Sequence, residues 1–219
     1  MKLLLTSGGI TNESIEQALL GLVGKPADET SLVFVPTASN VEPGDKSWLI
    51  DDLVRLKRIG FKIIDIADIS AIDKDVWLPR VEAADILYFE GGDTYHLLKW
   101  VRQSGLGAEL SGLLTNKVYV GVSAGSMITN TSLNLRVSHE IYAEGFDQTA
   151  DIPALGFVDL QFLPHLNASF FPTATEEQIR EVVSGVAGVT YAVDDACALR
   201  IVDGDVSVVG EGKWLTING

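Results

Sequence analysis

The chain has 219 residues, of which 47% are hydrophobic and 21% charged, so it can bury a substantial core and is not disordered in composition. Its 30 acidic residues against 16 basic ones give a formal net charge of −14, which argues against nucleic acid and anionic membranes as partners. The single cysteine, Cys197, excludes an intramolecular disulfide and a four-cysteine zinc site. The apolar run after Lys2 is too short for a signal peptide, so we expect a cytoplasmic protein.

Five short apolar runs in the first part of the chain predict buried strands. They lie at residues 2–6, 31–37, 61–66, 84–92 and 117–125. Runs with little polar alternation are typical of parallel strands that are covered on both faces. Because amphipathic segments separate these runs, the chain predicts an α/β fold with a mostly parallel sheet between two layers of helices.

The segments between the runs carry helical patterns. One helical face holds Ile15, Ala18, Leu19 and Leu22, and another holds Trp48, Leu49, Leu53 and Leu56. Gly60 is a plausible stop for the second helix. Residues 94–114 predict two helical pieces that are interrupted near Gly105 to Gly107.

The C-terminal part of the chain changes character. Residues 197–217 contain two tight-turn signals, Asp203-Gly204 and Gly210-Glu211-Gly212, between β-rich runs. They predict antiparallel hairpins, which we expect to form a meander at the edge of the sheet. No repeat, low-complexity tract or linker interrupts the chain, so residues 1–219 are expected to form a single domain.

The segment "GVSAG" at residues 121–125, called here the serine turn, places Ser123 between two glycines after an apolar run. It fits G-x-S-x-G, in which a serine on a tight strand-to-helix turn exposes its hydroxyl. Such a turn also aims the following backbone N–H, that of Ala124, at a developing oxyanion. The pattern predicts a nucleophile at Ser123, and an ordinary glycine-rich turn is the structural alternative.

The segment "FEGGDT" at residues 89–94, called here the glycine turn, also follows a strand and opens a helix. Asp93 or Thr94 could simply cap that helix. Gly91 and Gly92 allow backbone amides to approach a ligand closely. If this turn lies beside Ser123, the N–H of Gly92 supplies the second donor of the oxyanion hole that acyl transfer needs.

The chain has only three histidines, His96, His139 and His165. His165 follows an apolar strand and Pro164, at a strand end of the kind where α/β sites gather. His96 falls within a predicted helix, and His139 has no clear context. No H-E-x-x-H spacing is present, so we expect neither a metal nor a cofactor.

Several motifs in order carry a family resemblance: "YFEGGDTYHLL", "GVSAGSM" and "FLPHLN", with "DDACAL" near the end. Together they resemble the peptidase E family of serine peptidases, the aspartyl dipeptidases, and more distantly the cyanophycinases. The resemblance implies a three-layer α/β sandwich like that of class I glutamine amidotransferases. It also implies that Ser123 is the nucleophile, that His165 is its general base, and that Gly92 and Ala124 supply oxyanion amides.

The resemblance leaves open which acid orients His165. One of the family's acid positions falls, in a gapless match, on Ser138, which has no carboxylate. The other is a glutamate in an "E-x-[ST]-A-L" segment, and Asp195 occupies that position in "DDACAL". We expect Asp195 to be the acid, with Asp194 as the rival, and a turn or strand-end cap is the structural alternative for both.

The resemblance implies a hydrolase of short peptides, a dipeptidase that could act on N-terminal Asp-X. Such specificity needs a cation for the aspartyl side chain. Where aspartyl-specific relatives place a basic residue, this chain carries Glu176, and Arg180 lies one helical turn further on. Glu176 therefore argues against aspartyl specificity, although Lys99, Arg102 and Arg136 remain candidate cations.

Two other functions remain open at this point. The same residues could hydrolyse another acyl or β-aspartyl substrate, as in the cyanophycinases. The chain could also be a binding protein with a decayed triad, a reading supported only by the aspartate at 195 and the missing carboxylate at 138. The expected partner is a short peptide substrate, with no nucleic acid and no membrane, and a homodimer is left open.

Overall fold

The computed structural model describes all of residues 1–219. The strands are β1 (Lys2–Thr6), β2 (Ser31–Val35), β3 (Ile63–Ile66), β4 (Ile86–Phe89), β5 (Val118–Val122), β6 (Ser132–Leu133), β7 (Ile152–Pro153), β8 (Gln161–Leu163), β9 (Thr190–Val193), β10 (Cys197–Val202), β11 (Asp205–Gly210) and β12 (Trp214–Ile217). The helices are α1 (Glu13–Val23), α2 (Thr37–Asn40), α3 (Ser47–Ile59), α4 (Lys74–Ala83), α5 (Thr94–Gln103), α6 (Leu106–Leu113), α7 (Ala124–Met127), α8 (Leu135–Val137) and α9 (Glu176–Val182). A 3-10 turn at Ala27–Glu29 and a π-helical turn at Ser138–Tyr142 complete the secondary structure.

The main sheet has seven strands in the order β11-β10-β1-β5-β4-β2-β3. The five strands from β1 to β3 in that order run parallel, whereas β10 is antiparallel to both β1 and β11. In the register of this sheet Thr6 pairs with Val122, and Phe89 pairs with Gly121. The carboxyl ends of β1, β5 and β4 therefore lie side by side, which is where sites form in open α/β sheets.

Helices cover both faces of the sheet because side chains alternate along each strand. Leu5 of β1 packs into one core with Leu97 of α5, whereas Leu4 packs into the other with Leu19 of α1 and Leu56 of α3. The result is an α/β fold with a mostly parallel central sheet, helices on both sides and antiparallel C-terminal strands. The predicted fold class is confirmed.

The predicted elements of the first half of the chain are confirmed with small changes at their ends. All five predicted strands form, and the last residues of several runs belong to the turns that follow. The helix over residues 47–59 ends at Gly60, which adopts a left-handed φ of 87°. The interruption near Gly105 separates α5 from α6. None of the helices combines the length and the apolar character that a bilayer crossing requires.

The predicted apolar face of α3 is wrong at its first residue. Trp48 is 40% exposed, whereas the acidic residue Asp52 is buried on the inner side of the helix. The carboxylate of Asp52 accepts hydrogen bonds from the Tyr88 hydroxyl and from Arg55, both at 2.8 Å. Because these bonds compensate the cost of burial, a carboxylate takes a place that an apolar pattern assigns to a hydrophobic residue.

The predicted C-terminal meander is only half right. The Asp203-Gly204 turn joins β10 to β11 as an antiparallel hairpin at the sheet edge. β12 instead leaves this sheet and pairs antiparallel with β9 in a separate sheet of the order β12-β9-β8. The chain is redirected after Gly210, where the Asp194 carboxylate accepts the backbone N–H of Lys213 at 2.6 Å.

Candidate active site

Ser123 lies on a strained turn between β5 and α7. Its φ of 46° and ψ of −106° fall outside the regions that residues with a side chain favour. Its N–H donates to the carbonyl of Thr6 at 3.0 Å, and its carbonyl accepts from the N–H groups of Ser126 and Met127, both at 2.9 Å. These bonds fix the strained conformation that the G-x-S-x-G pattern requires.

The two glycines of the serine turn are required by close backbone approach. A Cβ atom added at Gly121 would lie 2.5 Å from the backbone nitrogen of Ser126. A Cβ atom added at Gly125 would overlap the carbonyl oxygen of Phe89, at the end of β4. The serine turn therefore packs directly against the neighbouring strand, and side chains at these positions would push the two apart.

Replacing Gly125 with alanine is expected to lower the free energy of unfolding by about 3 kcal/mol, because the added methyl group meets backbone that cannot rotate away. Chemical denaturation measures the change. Gly112→Ala is the matched control, since a Cβ atom there has nothing within 4 Å and the residue lies in the exposed part of α6. That control should stabilise the fold by about 0.5–1 kcal/mol. Equal effects at the two positions would contradict the packing described for the serine turn.

A serine, a histidine and an aspartate form one hydrogen-bonded chain at the carboxyl ends of the strands. The Nε2 atom of His165 lies 2.8 Å from Ser123 Oγ, and its Nδ1 atom lies 2.7 Å from Asp195 Oδ1. His165 follows β8 and Asp195 follows β9, and these two strands are parallel neighbours. His165 is only 7% exposed. An alcohol, an imidazole and a carboxylate in this order can activate the alcohol for nucleophilic attack.

The side chain of Asp195 faces His165, whereas the side chain of Asp194 points to a backbone turn. Burial alone would raise the pKa of Asp195, but hydrogen bonds from His165 and Ser7 and the nearby charges of His165 and Arg55 lower it below its ordinary value. The Asp195 carboxylate is therefore ionised at neutral pH. Asp194 accepts the N–H groups of residues 196 and 213, at 3.0 and 2.6 Å, which is the turn-capping role.

Ser7 is a fourth polar side chain in this arrangement, and no sequence pattern singled it out. Its Oγ atom lies 2.6 Å from Asp195 Oδ1 and accepts the backbone N–H of His165 at 2.7 Å. Ser7 directly follows β1, and β1 pairs with the strand that leads to Ser123. The sequence contains one indication of this role: Ser7 is a polar residue at the end of β1, the strand that neighbours β5.

The glycine turn lies beside the serine turn, as the oxyanion prediction requires. A Cβ atom added at Gly91 would be 3.3 Å from the Cβ of Ser123. Gly92 has a φ of 129°, and a Cβ atom there would overlap the carbonyl of Ala38, so only glycine fits this position. Ala124 is the first residue of α7, where a backbone N–H has no acceptor within the helix. The two turns thus flank the Ser123 hydroxyl.

A buried acid, Glu90, directly precedes the two glycines. Burial, and next the charge of Asp52, raise the pKa of Glu90 well above its ordinary value. Asp52 in turn binds Arg55, whose charge contributes to the low pKa of Asp195. Charged side chains of α3 therefore act electrostatically on both Glu90, beside the glycine turn, and Asp195.

Comparison with known proteins identifies the family to which this site belongs. The sequence profile of peptidase family S51 matches residues 3–209. The chain belongs to peptidase family S51. Peptidase E of Escherichia coli is 26% identical over 212 residues, which cover 93% of this chain and 80% of that protein. An uncharacterized peptidase of Pasteurella multocida is 28% identical over 153 residues, or 68% of this chain and 71% of that protein.

Solved structures agree with this S51 fold. A crystal structure assigned to a peptidase E protein of Listeria monocytogenes has a TM-score of 0.76 at 22% identity, covering 96% of this chain and 98% of that one. The structure of a peptidase from an acI-B1 Actinobacterium has a TM-score of 0.71 at 18% identity, covering 97% and 88%. The resemblance to peptidase E read from the sequence motifs is confirmed.

The other polar candidates of this S51 peptidase lie away from the triad. Asp93 caps α5 by accepting the N–H of His96 at 2.6 Å. His139 stacks on Phe146 and contacts the carbonyl of residue 145 through Nε2 at 2.9 Å. Ser138 accepts a hydrogen bond from the hydroxyl of Tyr95 at 2.9 Å. None of these side chains contacts Ser123, His165 or Asp195 in a hydrogen bond.

The candidate cations for an aspartyl substrate are engaged elsewhere or exposed. Arg180 pairs with Glu176 at 2.9 Å on the outer surface of α9, so these two residues neutralise each other. Arg136 pairs in the same way with an acid one turn on, Glu140, at 2.8 Å. Arg102 donates to a backbone carbonyl, and Lys99 is exposed on α5. No contact directs any of these cations to the triad.

Proposed function

We propose that this S51 peptidase is a serine peptidase that cleaves short peptides, dipeptides among them, through an acyl-enzyme. The observation that supports this proposal is the hydrogen-bonded order Ser123, His165, Asp195 on a strained strand-to-helix turn. The fold class and family membership are independent of these distances and agree with the proposal.

In the first half of the reaction, Ser123 Oγ attacks the peptide carbonyl while His165 Nε2 accepts its proton. Asp195 holds the imidazole through Nδ1 and stabilises its positive charge as it forms. The N–H groups of Gly92 and Ala124 donate to the oxyanion of the tetrahedral intermediate, and Gly91 leaves room for the substrate backbone beside Ser123. His165 then protonates the leaving amine, which departs and leaves an acyl-enzyme on Ser123.

In the second half of the reaction, a water molecule takes the place of the leaving amine. His165 removes a proton from this water, which attacks the ester carbonyl of the acyl-enzyme. The same two amides stabilise the second oxyanion, and the proton returns from His165 to Ser123 Oγ as the acid product leaves. The proton that passes between Ser123 Oγ and His165 Nε2 crosses a contact of 2.8 Å.

Hydrolysis assays on the purified chain test the proposal. The substrates are unblocked α-linked dipeptides, β-aspartyl dipeptides and an activated ester. We expect release of free amino acids from α-linked dipeptides and a burst of product on the ester, the kinetic sign of an acyl-enzyme. Preference for β-aspartyl bonds would instead indicate a hydrolase of the cyanophycinase type. No turnover of any substrate would indicate a binding protein with a decayed triad.

A further inference from the structure

Ser7 connects the two residues that support the nucleophile. Its side chain is completely buried, directly after β1. Its Oγ atom donates to Asp195 Oδ1 at 2.6 Å, accepts the backbone N–H of His165 at 2.7 Å, and lies 3.3 Å from His165 Nδ1. The Ser7 hydroxyl thus donates its proton to the Asp195 carboxylate and accepts the main-chain N–H of His165.

These two bonds constrain the backbone of His165 and the carboxylate of Asp195. His165 has a φ of 65°, which is unusual for a residue with a side chain, and the bond from its N–H to Ser7 holds that conformation. Asp195 Oδ1 is the same oxygen that accepts from His165 Nδ1. The neighbouring Gly8 packs closely, because a Cβ atom there would be 3.0 Å from Asp195 Cβ. Thr11 Oγ1 also donates to the Asp195 carbonyl at 2.7 Å.

We propose that Ser7 is a positioning residue of the reaction: it holds Asp195 and the backbone of His165 in register, so that the imidazole is aimed at Ser123. This inference rests on the proposed serine-peptidase function. Ser7 does not touch the substrate and takes no proton in the reaction. Its contribution is orientation, and a misplacement of about 1 Å in such a group is costly for catalysis.

Replacing Ser7 with alanine is expected to slow labelling of Ser123 by an alkyl fluorophosphonate, and peptide turnover, by about 10- to 100-fold. The loss should grow as the pH falls towards about 4, because Asp195 loses a donor that stabilises its charged form and its pKa rises back towards the ordinary aspartate value. Ser7→Cys, whose thiol is somewhat larger than the hydroxyl and a poor donor, should behave like Ser7→Ala.

Ser138→Ala is the matched control, because Ser138 is a buried serine that is hydrogen-bonded to Tyr95 and not to the triad. It should lose stability in thermal unfolding but label at nearly the wild-type rate. Labelling of Ser7→Ala within threefold of the wild type, or a loss that is the same at every pH, would overturn the inference. Labelling that survives Ser123→Ala would instead overturn the proposed function, so the two failures are distinct.

An independent observation concerns the loop that follows His165. Phe171 stacks on the imidazole ring with centroids 4.8 Å apart, and Phe170 meets the same ring edge-on at 5.3 Å. Phe170 is nevertheless 63% exposed. A single exposed apolar residue needs no explanation, but this one contacts the residue that acts as general base. The wall that a substrate meets beside His165 is therefore aromatic.

We further propose that Phe170 and Phe171 form a subsite for an apolar side chain of the substrate, again on the basis of the proposed function. No lysine or arginine lies over the ring of Phe170 or Phe171, and Arg180 and Arg136 pair with acids on the surface. Burial of an apolar side chain against Phe170 supplies binding free energy without a charged partner. The favoured peptides thus carry leucine- or phenylalanine-like side chains.

The test compares Phe-, Leu- and Asp-p-nitroanilide as substrates. We expect kcat/KM for Phe- and Leu-p-nitroanilide to exceed that for Asp-p-nitroanilide by about tenfold or more. Phe170→Ala should lower kcat/KM for Phe-p-nitroanilide by about tenfold, mainly through KM, and lower it less for the aspartyl substrate. Phe146→Ala is the matched control, since Phe146 is 71% exposed and stacks on a different histidine, His139.

Two outcomes would overturn the apolar subsite. One is a wild-type preference for Asp-p-nitroanilide, and the other is a Phe170→Ala variant that resembles Phe146→Ala on all three substrates. Either result can occur in a protein whose Ser123 is labelled normally by the fluorophosphonate. The subsite can therefore fail while the serine-peptidase proposal stands, and absence of labelling in the wild type would count against the proposal itself.

Discussion

Replacing Ser123 with alanine is expected to reduce peptide hydrolysis by about 10⁴- to 10⁶-fold, because no other hydroxyl lies in place to form the acyl-enzyme. Ser123 Oγ is the hydroxyl that lies within hydrogen-bonding distance of His165 Nε2, at 2.8 Å. Steady-state kinetics on the best dipeptide or p-nitroanilide measure the loss. Residual activity should show no burst, since a water molecule would have to attack the substrate directly.

The control for this substitution is again Ser138→Ala, which removes a buried hydroxyl outside the triad. Thermal unfolding of both variants shows whether they are folded. Ser123→Ala keeps the Cβ atom at φ 46° and removes only the hydroxyl, so it should unfold close to the wild-type temperature. A Ser123→Ala protein that hydrolyses peptides within tenfold of the wild type would show that another residue is the nucleophile.

The second large effect is expected at Asp195. Asp195→Asn should lower kcat by about 10³- to 10⁴-fold, because an amide no longer forces His165 into the tautomer whose Nε2 can accept the proton of Ser123. The carboxylate is ionised at neutral pH, its pKa being held low by His165 and Ser7 despite burial. The stability that it contributes is present above the ordinary aspartate pKa and is lost as the pH falls through the lower value in the folded protein.

Asp194→Asn is the matched comparison, since the two aspartates are adjacent and differ only in direction. Asp194 accepts two backbone N–H groups, those of Ala196 and Lys213, and an asparagine oxygen retains part of this capping. We expect a loss of stability and a change in kcat of less than about fivefold. If Asp194→Asn were the more damaging substitution for kcat, the triad would have to be rewritten with Asp194 as its acid.

Much of the fold and the centre of the site could be predicted because their signals are local. Nearly continuous apolar runs indicated the parallel strands, and the spacing of "GVSAG" indicated the turn that holds Ser123. The apolar run before Pro164 likewise predicted that His165 follows a strand. The register of the sheet then brings the ends of β1, β4 and β5 together, which is a consequence of parallel pairing rather than of any one residue.

The remainder depended on contacts between distant segments. The family motif favoured Asp195 over Asp194, but no local signal separates the two aspartates, and the turn into β10 decides which of them faces His165. Ser7 lies 158 residues from its partner His165 in the chain and belongs to no motif. The departure of β12 from the sheet edge likewise depends on a cap, from Asp194 to the N–H of Lys213, that local turn signals do not contain.

Peptide mapping of the wild-type chain after reaction with an alkyl fluorophosphonate addresses the nucleophile directly. Mass spectrometry should find one phosphonyl group per chain, on the peptide that contains Ser123, and pre-incubation with a good dipeptide substrate should slow its appearance. A phosphonyl group on any other residue, or none after prolonged reaction of folded protein, would contradict the assignment of Ser123 as an activated serine.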